Sequence, residues 1–191
     1  HLHFDHAGGL LAPWREGGEP QLLFPNAVFL VGAAHWQRAL HPHPRDRASF
    51  IPEIQHLLAE SGRLERVDGP HSRALGEAVR FEFSDGHTPG LMLAEIVGQA
   101  DADGRPRGGV AFCADLIPGM PWVHVPITMG YDRNAELLID EKRAFLQDKL
   151  ERDVALFFTH DPACALAHAT IDAKGRFVTR GEQAELVASP F

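Results

Sequence analysis

The chain opens on His1-Leu2-His3-Phe4-Asp5-His6-Ala7-Gly8-Gly9, three imidazoles and a carboxylate within six residues, followed by a run of small residues. Side chains this close in sequence meet at one point only where the backbone bends. A regular strand sends alternate residues to opposite faces, and a helix spreads them around its axis. No other segment constrains the fold as much, because this one requires a turn at the end of a strand. Imidazole and carboxylate are also the ligand set of Zn²⁺ and similar first-row ions. A catalytic zinc takes three protein ligands and keeps a fourth position open, so four candidates here argue for two ions. A purification remnant would be an unbroken histidine run, without the interleaved Leu2, Phe4 and Asp5.

Histidine is abundant throughout, 12 of 191 residues against one tyrosine, and it is the commonest metal ligand. With 45% hydrophobic and 23% charged residues, the chain is read as one domain over residues 1–191 with a real core, not as a disordered segment. No apolar run approaches the roughly 20 residues that cross a bilayer. The net charge of −8 argues against binding a nucleic-acid backbone. Cys113 and Cys164 are too few for a disulfide framework. No leader segment is read, and the expected compartment is the cytoplasm.

Strands are predicted at Ala27–Val31, Val79–Phe83, Leu91–Val97, Val110–Ala114 and Val154–Thr159, each an apolar, β-rich run bounded by Gly, Pro or Asp. Ile51–Glu60 has helical spacing, with Ile51, Ile54, Leu57 and Leu58 on one face and Pro52 in the first turn. Leu138–Arg152 is the clearest helix, with Ile139, Phe145, Leu146 and Leu150 as its apolar stripe. The segment from Asp101 to Gly109 reads as an exposed turn between two strands, and the closing stretch as a strand near Phe177-Val178 and a short helix. The class is α/β or α+β.

Further ligands are then expected at strand ends, and three places fit. His87 lies in the Gly/Pro-bracketed turn Ser84-Asp85-Gly86-His87-Thr88-Pro89-Gly90, Asp115 closes Ala111-Phe112-Cys113-Ala114-Asp115, and His160 sits in Leu156-Phe157-Phe158-Thr159-His160-Asp161-Pro162. Singly, a strand-end Asp reads as a cap and a lone His as a satisfied surface or core residue. Their order and shared strand-to-loop setting give the set its weight.

HLHFDHAGG, GHTPG, FCAD and FFTHDP, in that order and across essentially the whole chain, resemble the metallo-β-lactamase-fold hydrolases. The resemblance implies an αββα sandwich and two divalent ions, zinc first, with Mn, Fe, Co or Ni as alternatives. It implies that His1, His3 and His87 hold one ion, that Asp5, His6 and His160 hold the other, and that Asp115 bridges them. Asp5 and Asp115 would be the catalytic carboxylates, Asp5 as both ligand and proton carrier, in a reaction begun by a hydroxide shared between the ions. The family places a block of strands ahead of the first motif. With those N-terminal strands missing here, the domain is read as incomplete and the native protein is expected to be longer.

Phe24-Pro25-Asn26-Ala27, His35-Trp36, Asp115-Leu116-Ile117-Pro118 and Met129-Gly130-Tyr131-Asp132 are similar to the quorum-quenching lactonase-like members. Hydrolysis of a lactone or related ester is therefore the first expectation. A glyoxalase II-like thioesterase or a phosphodiesterase would use the same ligands, and a non-hydrolytic metal or redox module ranks last because all five histidine positions are kept. Well-known homoserine-lactone lactonases carry a tyrosine soon after the bridging aspartate, whereas Leu116-Ile117-Pro118 here has no hydroxyl. Tyr131, with Trp122 and His124, is the candidate substrate pocket; Tyr131 reads equally well as a buried structural phenol. Expected partners are a small-molecule substrate and, as an open alternative, a second copy of the chain, with neither nucleic acid nor membrane. His41, His43 and Arg45 read as a solvated loop, His35-Trp36 as the packed start of a helix, and both cysteines as inert.

Overall fold

In the computed structural model, which describes residues 1–186, the chain forms two sheets, each covered by helix. The smaller sheet is a parallel pair, β1 (Phe29–Gly32) and β2 (Leu64–Val67). The connection between them carries α2 (Ala33–Leu40) and α3 (Pro52–Glu60), as parallel strands require a crossover. Phe29 and Val31 pack with Trp36 and Ala39 of α2 and Ile54 and Leu58 of α3 to make the first core. Leu2 and Ala7 join it and tie the opening motif to this layer.

The larger sheet runs in order β3 (Val79–Ser84), β4 (Leu91–Val97), β5 (Gly109–Phe112), β6 (Ala155–Phe157), β7 (Leu166–Ile171) and β8 (Phe177–Gln183). All neighbours are antiparallel except β5 and β6, whose parallel pairing needs the long crossover helix α4 (Ala135–Arg152). The predicted β4–β5 turn is present, with Asp101 Oδ1 accepting from the Asp103 and Arg105 amides. Asn134 caps α4 by accepting from Leu137 N, and Asp153, in the left-handed region at φ 56°, ends it. The sheets meet where Gly32 of β1 passes under Gly90 and Phe83, so closely that an added Cβ would stand 2.6 Å from the Gly90 carbonyl. This layering is the expected sandwich class.

Several sequence expectations change, among them the strand read over Ala27–Val31, which is Phe29–Gly32, and the one over Val154–Thr159, which is Ala155–Phe157. On α4, Phe145 and Leu146 are buried, but Ile139 and Leu150 only partly; Leu138, Lys142 and Lys149 complete the inward face. The strand expected over Val110–Ala114 stops at Phe112, because the chain turns sharply to present Asp115. No helix follows β8 up to residue 186, and the rest of the predicted short helix lies outside the described residues. Among the described residues no helix is long and apolar enough to cross a membrane.

Candidate metal centre

The opening motif is extended through His3, and Phe4–Ala7 then makes a single helical turn (α1). His6 and Ala7 amides both donate to the His3 carbonyl, which closes that turn. His1 and His3 thus precede the turn while Asp5 and His6 lie on it, and the turn brings the His6 ring back beside His1, with centroids 4.1 Å apart. His87 follows β3, on a loop tied to α4: Glu141 accepts from Ser84 Oγ, Asp85 N and Gly86 N, and Gly86 lies flat on the Leu138 backbone. Asp115 follows β5 in a one-turn 3-10 helix. The residue before it, Ala114, is buried at φ 43°, a conformation that costs an L-residue about 1–2 kcal/mol and here aims the carboxylate. His160 follows β6, and its amide donates to the Pro118 carbonyl while Asp161 Oδ2 accepts from Met120 N. Those two bonds join the Asp115 and His160 loops.

The seven residues singled out from sequence meet in two adjoining groups, His1, His3 and His87 in one and Asp5, His6, Asp115 and His160 in the other. In the first, His1 Nε2 lies 3.0 Å and His87 Nε2 3.3 Å from His3 Nδ1. Asp115 Oδ2 stands 3.2 Å from His87 Nε2 and 3.7 Å from His1 Nε2. In the second, His6 and His160 Nε2 are 3.1 Å apart, and Asp115 Oδ1 is 3.1 and 3.2 Å from them. Asp5 Oδ2 completes that group at 3.5 and 3.7 Å from the same nitrogens. Asp115 thus gives one oxygen to each group.

These separations fit a metal better than a hydrogen-bond network. Ligand atoms about 2.0–2.1 Å from a tetrahedral ion lie about 3.3 Å from one another, the spacing found in both groups. Asp115 Oδ1 is buried and faces two imidazole nitrogens without a hydrogen bond to either. Such an orphaned oxygen is costly unless a cation satisfies it. Burial, and then the neighbouring His87, push His3 down to about 4, so it is a neutral imidazole with a free lone pair at neutral pH. Burial alone would raise the Asp115 carboxyl, but His6, His87 and His160 outweigh it and hold it below the ordinary range.

Two supporting residues carried no sequence signal for these roles. Asp132 Oδ1 lies 2.9 Å from His87 Nδ1, and its other oxygen accepts from Met129 N at 2.6 Å. A carboxylate on the far nitrogen fixes a ligand's tautomer and raises its basicity, and losing such a partner typically costs 10–100-fold in metal affinity. If the His1/His3/His87 group holds a metal ion, Asp132→Asn should weaken its binding by about that factor; zinc retained against graded chelator measures it. His35, read as a packing residue, is fully buried and bonded at both ring nitrogens.

Tyr131 is 62% exposed, not a buried phenol, and its ring stands edge-on to His87 with centroids 5.9 Å apart. Trp122 instead packs against the core of the large sheet, on the 3-10 turn Met120–Val123, and His124 follows it half-buried. Phe4, 57% exposed between His3 and Asp5, adds an apolar surface beside the candidate centre. Cys113 and Cys164 are buried, and burial raises the Cys113 thiol far above its usual range.

The fold is that of the metallo-β-lactamase-type metal-dependent hydrolases. A probable metal-dependent hydrolase from Staphylococcus aureus superposes with a TM-score of 0.75 at 21% identity, over 98% of this chain and 61% of that one. AbOPH, a hydrolase of the beta-lactamase superfamily, gives 0.69 at 16% identity over 94% and 61%. AidC, a dizinc quorum-quenching lactonase solved with a product, gives 0.63 at 22% over 85% and 57%. The chain thus spans about three-fifths of the length of each of these proteins. No protein-family model matches the chain, and no curated protein sequence matches it.

Proposed function

We propose that the protein is a dinuclear metal-dependent hydrolase acting on lactones or related esters of small molecules. The observation that carries this reading is the split of Asp115, one oxygen toward three imidazoles' group and one toward the other. His1, His3 and His87 would hold one ion, Asp5, His6 and His160 the other, with Asp115 between them. A bound pair of divalent ions supplies Lewis-acid polarisation of a carbonyl and a water acidic enough to ionise near neutrality. The chain's own part is positioning and proton handling. Asp115, buried and ionised, keeps the two groups in register. Asp5 has a side chain 42% exposed beside His6 and His160, so its carboxylate can take the proton released by the attacking water and return it to the leaving alkoxide. Phe4 and Tyr131, both exposed at the rim, offer apolar contact to a substrate.

The lactone assignment rests on the sequence resemblance together with the fold shared with AidC, described as a lactonase. Metal-loaded protein should contain two ions per chain by metal analysis. It should open acyl-homoserine lactones or simple lactones faster than thioesters or phosphodiesters in a direct hydrolysis screen. Turnover confined to phosphodiesters would overturn the lactone reading, and fewer than two ions the dinuclear one.

A further inference from the structure

Two loops supply the first group: the opening motif brings His1 and His3, and the loop after β3 brings His87. They are 84 residues apart in sequence for the His3–His87 pair, and their side chains must stand within about 3.3 Å to share one ion. His35, in the first turn of α2, touches both loops. Its Nε2 accepts from the Leu2 amide at 2.8 Å, and its Nδ1 lies 3.0 Å from the Pro89 carbonyl. An amide N–H can only donate, so Nε2 is the acceptor and the neutral ring carries its proton on Nδ1, donating to Pro89. Leu2 lies between His1 and His3, and Pro89 is two residues beyond His87.

The surroundings leave the ring little freedom. His35 is fully buried, and its rings' neighbours are His1, His3 and Phe50, with centroids 5.8, 6.2 and 5.8 Å away. Gly90 approaches so closely that a Cβ there would stand 2.3 Å from the His35 amide, and Gly90 itself has φ +71°. α2 therefore rests directly on the His87 loop at one side, while its Trp36 anchors it in the first core with Leu2 at the other.

We propose that His35 is a positioning residue, a two-ended strut that fixes the span between the loops bearing His1/His3 and His87, and so sets metal affinity at that group selectively. The second group shares the opening motif through Asp5 and His6, but it takes Asp115 and His160 from loops that His35 does not bond and that are joined to each other through Pro118 and Asp161. The proposal rests on the metal reading above.

Each end of the strut can be removed separately. His35→Asn keeps a donor near the Nδ1 position and loses the acceptor for Leu2, His35→Gln keeps an acceptor near the Nε2 position and loses the donor to Pro89, and His35→Phe loses both. Zinc retained by the whole protein against graded chelator resolves two release steps, assigned with His87→Ala and His160→Ala as references. The His35→Phe variant should lose about 10–100-fold in affinity at the first step and each amide variant less, and all three should lose clearly less at the second step, which shares only the opening motif with His35. Thermal melting of the metal-free proteins accompanies each titration. Equal loss at both steps, or a fall in melting temperature with the ratio of the two affinities unchanged, overturns the proposal in favour of a packing role. Wild-type protein that binds two zinc ions beside variants that bind both as tightly overturns it alone; wild-type protein that binds none overturns the metal reading and this proposal together.

Discussion

On the proposed two-ion reading, Asp115→Asn should strip both ions from the protein together. The two carboxylate oxygens face different groups, at 3.2 and 3.7 Å from the imidazoles of one and 3.1 and 3.2 Å from those of the other. An amide keeps the shape but loses the charge, and only its oxygen can ligate, so one group is left without its shared ligand whichever way the amide turns. The other group keeps a neutral oxygen in place of an anion. Affinity should fall by at least about 100-fold at each group, beyond the effect of removing an outer partner, and hydrolysis by at least about 100–1,000-fold. His87→Ala is the matched control, because His87 belongs to one group only. It should empty that group and leave the other nearly intact by metal analysis. Equal loss of both ions from His87→Ala would contradict the two-group assignment, and an Asp115→Asn protein retaining two ions would contradict the bridge.

The three candidate positions outside the opening motif were legible because each closes an apolar run and stands in a segment of turn-forming residues. His87, Asp115 and His160 occupy the loops after β3, β5 and β6, where strand-end logic places them. What held those loops together was not legible. Asp132 meets His87 across 45 residues of sequence, and nothing local marks a carboxylate after Met129-Gly130-Tyr131 as its partner. His35 sits beside a tryptophan in an amphipathic helix, which reads as packing until the Leu2 amide and the Pro89 carbonyl arrive from elsewhere in the chain. Among the elements, β2 was missed because Leu64-Glu65-Arg66-Val67 carries two charges in four residues. Its buried Glu65 accepts from the Arg73 and Ala74 amides, a tertiary use that periodicity cannot anticipate. The helix start read at His35-Trp36 is present as α2, although it begins after Gly32 with no side-chain cap.

The largest stability effect is expected far from the centre, where α4 meets β3 and β4. Lys142 and Lys149 both point inward from α4, against the apolar periodicity of that helix. Lys142 donates to the Ile127 carbonyl, and burial pushes its amine down to about 8. Lys149 is embedded with Glu95, 2.7 Å away, with Glu82 and with Asp148, while Arg152 makes a two-pronged contact to Glu95 at 2.6 Å on each arm. Such a network gives little net stability compared with an apolar core, but removing one member leaves its partners buried without their counter-charge. Glu95→Ala should therefore cost about 3–5 kcal/mol in denaturant unfolding. Glu95→Gln separates charge from shape: it retains the packing and one acceptor, so a loss nearly as large would assign the effect to the missing charge. Burial alone would raise the Glu95 carboxyl, but Arg152 and Lys149 outweigh it and hold it below its ordinary value of 4.5. With the folded-state value depressed, the unfolded chain binds protons first, so this stabilisation is complete above about pH 4.5 and is lost as the pH falls below it. Wild type should lose more stability than Glu95→Gln between pH 6 and the acid limb, and parallel pH profiles would show that the ionised Glu95 contributes nothing at this helix–sheet contact.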